Sequence, residues 1–76
     1  INANGFLVYP NPTRGIFYIE TSKLQTITVL NAIGKVITSK KVNGKETMDL
    51  TGRSPGIYLL RLKSGDKVIT QRIILQ

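Results

Sequence analysis

Gly56-Ile57-Tyr58-Leu59-Leu60-Arg61-Leu62-Lys63, followed by Ser64-Gly65-Asp66 and then by Lys67-Val68-Ile69-Thr70-Gln71-Arg72-Ile73-Ile74-Leu75, is the stretch that decides the fold class. Tyr58, Leu60 and Leu62 alternate with Ile57, Leu59 and Arg61. Beyond the glycine-containing turn signal, Ile69, Gln71, Ile73 and Leu75 alternate with Val68, Thr70, Arg72 and Ile74. Successive side chains of a strand point to opposite faces, so a period of two specifies strands, whereas a helix repeats near 3.6. Both faces of residues 56–63 are mostly apolar, which predicts a central strand.

Working outward, the same period recurs. Residues 15–20 set Phe17 and Ile19 against Ile16, Tyr18 and Glu20, residues 24–30 place Ile27 and Val29 on a core face, and residues 45–50 turn Met48 and Leu50 inward. Residues 35–42 form a further strand, and residues 6–9 a short first one that stops at Pro10-Asn11-Pro12, because proline has no N–H for a ladder. Asn31-Ala32-Ile33-Gly34 predicts a type I turn closed by a left-handed glycine. Asn43-Gly44 predicts a hairpin between residues 35–42 and 45–50. Ser54-Pro55-Gly56 predicts a type II turn with Gly56 at positive φ. Seven short strands with turn signals between them predict an all-β, seven-stranded antiparallel sandwich in a single domain.

Composition narrows the chemistry. The 76 residues include 11 Lys+Arg and 4 Asp+Glu, with no His and no Cys, for a net charge of +7. Without imidazole or thiolate there is no Ser-His or Cys-His pair and no nitrogen or sulfur ligand for zinc. The acids Glu20, Glu46, Asp49 and Asp66 are too few and too scattered for a calcium site. Asp49-Leu50-Thr51 instead predicts a local turn in which side-chain oxygens bond the backbone. No glycine spacing matches a phosphate-binding loop. No metal, cofactor or catalytic residue is expected, and no apolar run approaches the ~20 residues that span a bilayer. Residues 1–5 have neither the basic nor the apolar region of a signal peptide, and the chain begins as if it continued something longer.

Four blocks occur in a fixed order: Tyr9-Pro10-Asn11-Pro12-Thr13-Arg14-Gly15, then Val29-Leu30-Asn31-Ala32-Ile33-Gly34-Lys35-Val36, then Met48-Asp49-Leu50-Thr51 leading to Pro55-Gly56-Ile57-Tyr58-Leu59-Leu60-Arg61-Leu62, then Lys67-Val68-Ile69-Thr70-Gln71-Arg72-Ile73-Ile74. Together they resemble the type A C-terminal sorting domain of the type IX secretion system of Bacteroidota, over essentially residues 7–76. The resemblance implies a seven-stranded immunoglobulin-like sandwich at the C-terminus of an exported protein. Such a module directs its cargo from the periplasm across the outer membrane and is usually removed by a cell-surface sortase, the cargo being released or attached to lipopolysaccharide. It implies that residues 1–6 end a linker from an upstream cargo. The implied partners are outer-membrane translocon and shuttle proteins and the sortase, with no nucleic acid and no membrane insertion. Many members finish with lysines, whereas here Ile73-Ile74-Leu75-Gln76 closes the chain and Arg72 is the last basic residue.

A terminal strand at a sheet edge is suited to recognition by strand addition. The candidates for partner contact are therefore Lys67, Val68, Ile69, Thr70, Gln71, Arg72, Ile73, Ile74, Leu75 and Gln76. Pro10, Asn11, Pro12, Gly15, Asn31, Gly34, Asp49, Leu50, Gly56 and Tyr58 carry the resemblance and are expected to shape the fold.

Rival readings are a fibronectin-like spacer or carbohydrate-binding module retained on a secreted protein, and a basic nucleic-acid binder. The last is disfavoured because the cations are scattered, with one Lys40-Lys41 pair, and Tyr18 is the best candidate for an exposed ring on which a base could stack. Lysines on sheet edges serve instead to block unwanted pairing. Duplex DNA is expected to bind weakly and to dissociate at about 150 mM salt, as counterion release dictates. Sub-micromolar, sequence-selective binding in a titration at that salt would overturn this expectation.

Overall fold

The computed structural model describes residues 5–76. Seven strands follow one another: β1 (Phe6–Tyr9), β2 (Ile16–Thr21), β3 (Gln25–Leu30), β4 (Val36–Val42), β5 (Lys45–Asp49), β6 (Gly56–Ser64) and β7 (Lys67–Leu75). They form two antiparallel sheets, ordered β1-β2-β5 and β4-β3-β6-β7. Among the described residues there is no helix.

Alternation explains how the sheets meet. Phe6, Phe17, Ile19 and Met48 from the three-stranded sheet face Ile27, Val29, Leu60, Leu62 and Ile73 from the four-stranded one, and all are at most 2% exposed. Full burial of each such side chain contributes about 1.5–3 kcal/mol. Phe6, on the linker side of the expected boundary, is thus the first residue of β1 and part of the core, while the rest of that linker falls largely outside the described residues. β6 is central as expected, with β3 on one side and β7 on the other. Tyr58, near its start, donates its hydroxyl to Ser54 O at 2.8 Å, in the form of the tyrosine corner found in immunoglobulin domains.

Local chemistry accounts for the turns, in two cases differently from expectation. Residues 31–34 turn as predicted: Gly34 N–H donates to Asn31 O at 2.9 Å and Gly34 has φ +88°. The Asn31 side chain secures the turn by accepting from Ile33 N–H and Lys35 N–H. Ser64 and Lys67 are paired across Gly65-Asp66, with Gly65 at φ +62° in the first central position, as a type II′ hairpin requires.

Asn43-Gly44 does not make a hairpin, because β4 and β5 lie in different sheets. A type I′ turn needs positive φ at both central residues, and Asn43 does not have it, since among the described residues positive φ is confined to glycines. Thr21 captures the connection instead: its N–H donates to Gly44 O at 2.7 Å, and its Oγ1 accepts from Gly44 N–H at 3.1 Å. Val42 and Met48 are then both buried, each on the inner face of its own sheet. The glycine turn near residue 55 is also displaced. Arg53 N–H donates to Leu50 O at 3.1 Å with Gly52 at φ +87°, so the turn spans residues 50–53. Gly56, at φ +147°, belongs to β6 and pairs with Leu75.

Gly15 and Gly34 differ in what surrounds them. A Cβ on Gly15 would lie 2.7 Å from Thr51 Oγ1 and 3.3 Å from Thr51 Cα, whereas one on Gly34 would meet nothing within 4 Å. Gly34→Ala is expected to cost about 1–2 kcal/mol from backbone conformation alone. Gly15→Ala is expected to cost more, since Thr51 must also move. Denaturant midpoints of the two variants check this, and equal midpoints would refute the packing of residue 15 on residue 51.

Candidate recognition edge

β7 is an edge strand: β6 lies on one side of it and, among the described residues, no strand on the other. Part of its outer edge is nevertheless covered, by residues 11–13. Asn11 Nδ2 donates to Arg72 O at 2.9 Å, and Asn11 Oδ1 accepts from Ile74 N–H at 3.0 Å. Thr13 continues the pattern through its backbone, its N–H donating to Ile74 O at 2.9 Å and its carbonyl accepting from Gln76 N–H at 2.8 Å. A carboxamide carries one acceptor and one donor group, as a peptide does, so Asn11 occupies the place of a strand residue.

The strap is held by its own packing. Thr13 is 1% exposed, and its hydroxyl donates to Ile16 O at 2.7 Å while accepting from Gly15 N–H at 3.1 Å. Leu50 N–H donates to Gly15 O at 2.8 Å, which joins the strap to the end of β5. Thr51 N–H donates to Asp49 Oδ1 at 2.8 Å, and hydrogen bonds from the Thr51 side chain and backbone hold the Asp49 carboxyl below its ordinary range. Pro10, Asn11, Pro12, Gly15, Asn31, Gly34, Asp49, Leu50, Gly56 and Tyr58 therefore gather at one end of the sandwich, where β6 begins and β7 finishes. An open depression of ≈ 530 Å³ at this end is lined by Asn31, Ile33, Arg53, Pro55, Ile57 and Tyr58, and no acid lines it.

The ten candidates on the last strand divide by direction. Ile73 and Leu75 are core, at 0% and 4% exposure, and Ile69 packs partly buried against the core. Gln71 is half-buried, Lys67 sits beside the hairpin, and Val68, Thr70, Arg72, Ile74 and Gln76 are exposed. Because Arg72 O and both backbone groups of Ile74 point to the strap, the even-numbered residues direct their backbone outward and the odd-numbered ones toward β6. Among the described residues, Val68 N–H and C=O, Thr70 N–H and C=O, and Arg72 N–H have no partner. The open edge is thus confined to residues 68–72.

Sequence reasoning missed the strap. It read the two prolines as strand terminators and did not foresee that the amide between them pairs with residues more than sixty positions away. The available signal was a buried-type Thr and an Asn in a segment whose proline neighbours cannot donate. Tyr18 also departs from the expectation of an exposed ring. In the structure Tyr18 is half-buried beside Tyr9, with ring centroids 5.6 Å apart and Lys45 Nζ 5.4 Å from the Tyr18 centroid. The Tyr9 hydroxyl donates to Glu20, and the nearby Tyr9 oxygen raises Lys45 above its ordinary value. No group of three or more His, Cys, Asp or Glu is brought together among the described residues.

Asn11→Ala removes two hydrogen bonds and is expected to cost about 1–3 kcal/mol. Amide exchange should accelerate at Ile74 and stay unchanged at Gln71, whose backbone faces β6. Unchanged protection at Ile74 would show that the strap does not close this edge in solution.

In comparison with known families, residues 7–76 match the family described as the secretion system C-terminal sorting domain. No curated protein matches the chain. The match takes in the strap, all four blocks of the sequence resemblance and the whole of β7, so the chain belongs to the secretion system C-terminal sorting domain family and is a sorting signal of type IX secretion, a role that engages the secretion machinery and implies export toward the cell surface or the extracellular space.

Proposed function

We propose that this domain conducts an upstream cargo protein through the periplasm and across the outer membrane, that translocon and shuttle proteins read it at β7, and that a surface sortase then removes it. Residues 1–6 serve in this reading as the end of the linker from the cargo, with Gly5 and Phe6 already inside the folded unit. The observation that carries the proposal is the edge position of β7 with its outward backbone groups open at residues 68–72. Strand addition obtains affinity from main-chain hydrogen bonds and so accepts a signal whose cargo varies freely. The domain itself does no chemistry in this scheme: it folds and presents an edge. Gly5 leads into β1 at the end of the sandwich opposite the strap, beside residues 22–24, 43–44 and 65–66, which supports attachment of a cargo at that end.

The test is a fusion of residues 1–76 to an inert passenger in a bacterium with this secretion system. The passenger should reach the surface or medium and be recovered without the domain. Thr70→Pro removes one outward N–H and leaves the β6 pairing intact, as proline on an edge allows. It should retain the passenger in the periplasm while the domain resists protease. Export of a folded Thr70→Pro fusion at the wild-type level would eliminate this edge as the signal, and a passenger that keeps the domain after export would favour a retained spacer.

A further inference from the structure

We propose that the segment docking on the open half of β7 is an extended acidic strand, of about five residues, with its acidic side chains on the outer face of the four-stranded sheet. The proposal rests on the reading of β7 as the recognised edge and adds the chemistry of what recognises it.

Register places the cations. Thr26 is paired with both Lys41 and Lys63, Lys63 with Val68, Thr28 with Arg61, Arg61 with Thr70, and Leu59 with Arg72. Directly paired residues share a face, so Lys41, Arg61, Lys63 and Arg72 all lie on the outer face of this sheet, interleaved with Thr26, Thr28 and Thr70 and with the apolar Leu59 and Val68. No acid lies there. Glu20 is on β2, Glu46 and Asp49 are on β5, and Asp66 is in the hairpin. The ion pair that forms, Lys40 to Glu46 at 3.9 Å, bridges β4 to the other sheet. The four cations of the outer face are exposed and have no carboxylate partner among the described residues.

Two further features select a strand. A strand added to β7 lies about 4.8 Å from it, which brings alternate side chains beside Arg72 and within the span of the long Arg61 and Lys63 side chains. Its other side chains turn inward, toward half-buried Ile69, which packs on the core, and a crevice of ≈ 340 Å³ whose lining joins the apolar Leu62 and Ile69 to Gly5, Ser22, Lys23, Gln25, Ser64 and Lys67, so that the apolar contact is made at Ile69 and Leu62. The fitting segment therefore alternates acidic with apolar residues. Its length is set by the strap, because Asn11 takes Arg72 O and pairing cannot continue past it. This open stretch also lacks the inward charges, prolines and bulges that protect sheet edges. A nucleic acid fits less well, since the Tyr9 and Tyr18 rings lie on the other sheet and the cationic face offers no stacking surface.

The probe is a capped heptapeptide alternating Glu and Val, titrated into the 76-residue chain with amide shifts as the readout, beside the same peptide with Lys for Glu. The Glu peptide should shift Val68, Thr70 and Arg72 and bind about tenfold more tightly than the Lys peptide, several cross-strand charge pairs each adding a fraction of a kcal/mol. The preference should shrink with added salt. Arg61→Glu combined with Lys63→Glu should reverse it, and Thr70→Pro should abolish binding of both peptides. Equal binding of the two peptides, or shifts confined to β1 or β4, would overturn the proposal, as would tighter binding of a single-stranded oligonucleotide at the same face. The export assay separates the two readings. Peptide binding with charge preference, alongside unimpaired export of the Thr70→Pro fusion, would sink the sorting role of the edge. Loss of export in that variant without charge preference would sink the acidic-strand proposal alone.

Discussion

Hydrogen bonds from residues 11 and 13 to the outer edge of β7 are the constraint on which the rest of the molecule depends. They close the terminal half of a strand that would otherwise be open along its whole length, and they fix where pairing by another chain has to stop. The strap is itself determined by the packing beneath it: Thr13 buried against the start of β2, Gly15 pressed onto Thr51, and Asp49 turning the chain beyond β5. Each contact is ordinary in strength. Their common effect is to build one end of the sandwich from segments that are distant in sequence.

Burial of the alternating faces explains why β7 is so firmly part of the fold while still serving as an edge. Ile73 and Leu75 lie in the core, so about 3–6 kcal/mol of apolar burial depends on this strand in a domain whose total stability is of order 4–11 kcal/mol. Its other face is free to carry charge. The outward positions of β3, β6 and β7 hold Thr26, Thr28, Arg61, Lys63, Thr70 and Arg72 beside the apolar Ile57, Leu59, Val68 and Ile74, while the acids sit on β2, on β5 and in the β6–β7 hairpin.

Most of the fold was legible because period two is a strong signal: Tyr58, Leu60 and Leu62 turn inward, and Phe17, Ile19, Ile27, Val29 and Met48 meet them, as their spacing predicts. The turn at Asn31 was legible too, since its side-chain bonds are local. Sheet membership was not. Asn43-Gly44 reads as a hairpin within any local window, and only the long-range capture of Gly44 by Thr21 sends β5 to the other sheet. Leu50-Thr51-Gly52-Arg53 took the turn expected around Pro55 because both segments contain a glycine at a plausible spacing. The candidate site was legible as a strand and illegible as an edge with two unequal halves, for Asn11 and Arg72 are joined only once the whole chain has folded.

That last point bears on kinetics. The strap and β7 are separated by 61 and 63 positions in the bonds made by Asn11, nearly the full length of the domain. Loops of this size close late, after nearer pairings such as the β6–β7 hairpin have formed. Closure entropy alone favours the hairpin over the strap, and a β6–β7 hairpin without residues 11–13 against it is bare along its outer side. Without the strap β7 offers Arg72 O, both backbone groups of Ile74 and Gln76 N–H in addition to the groups open at residues 68–72, so the length of exposed edge distinguishes a strapped domain from an unstrapped one.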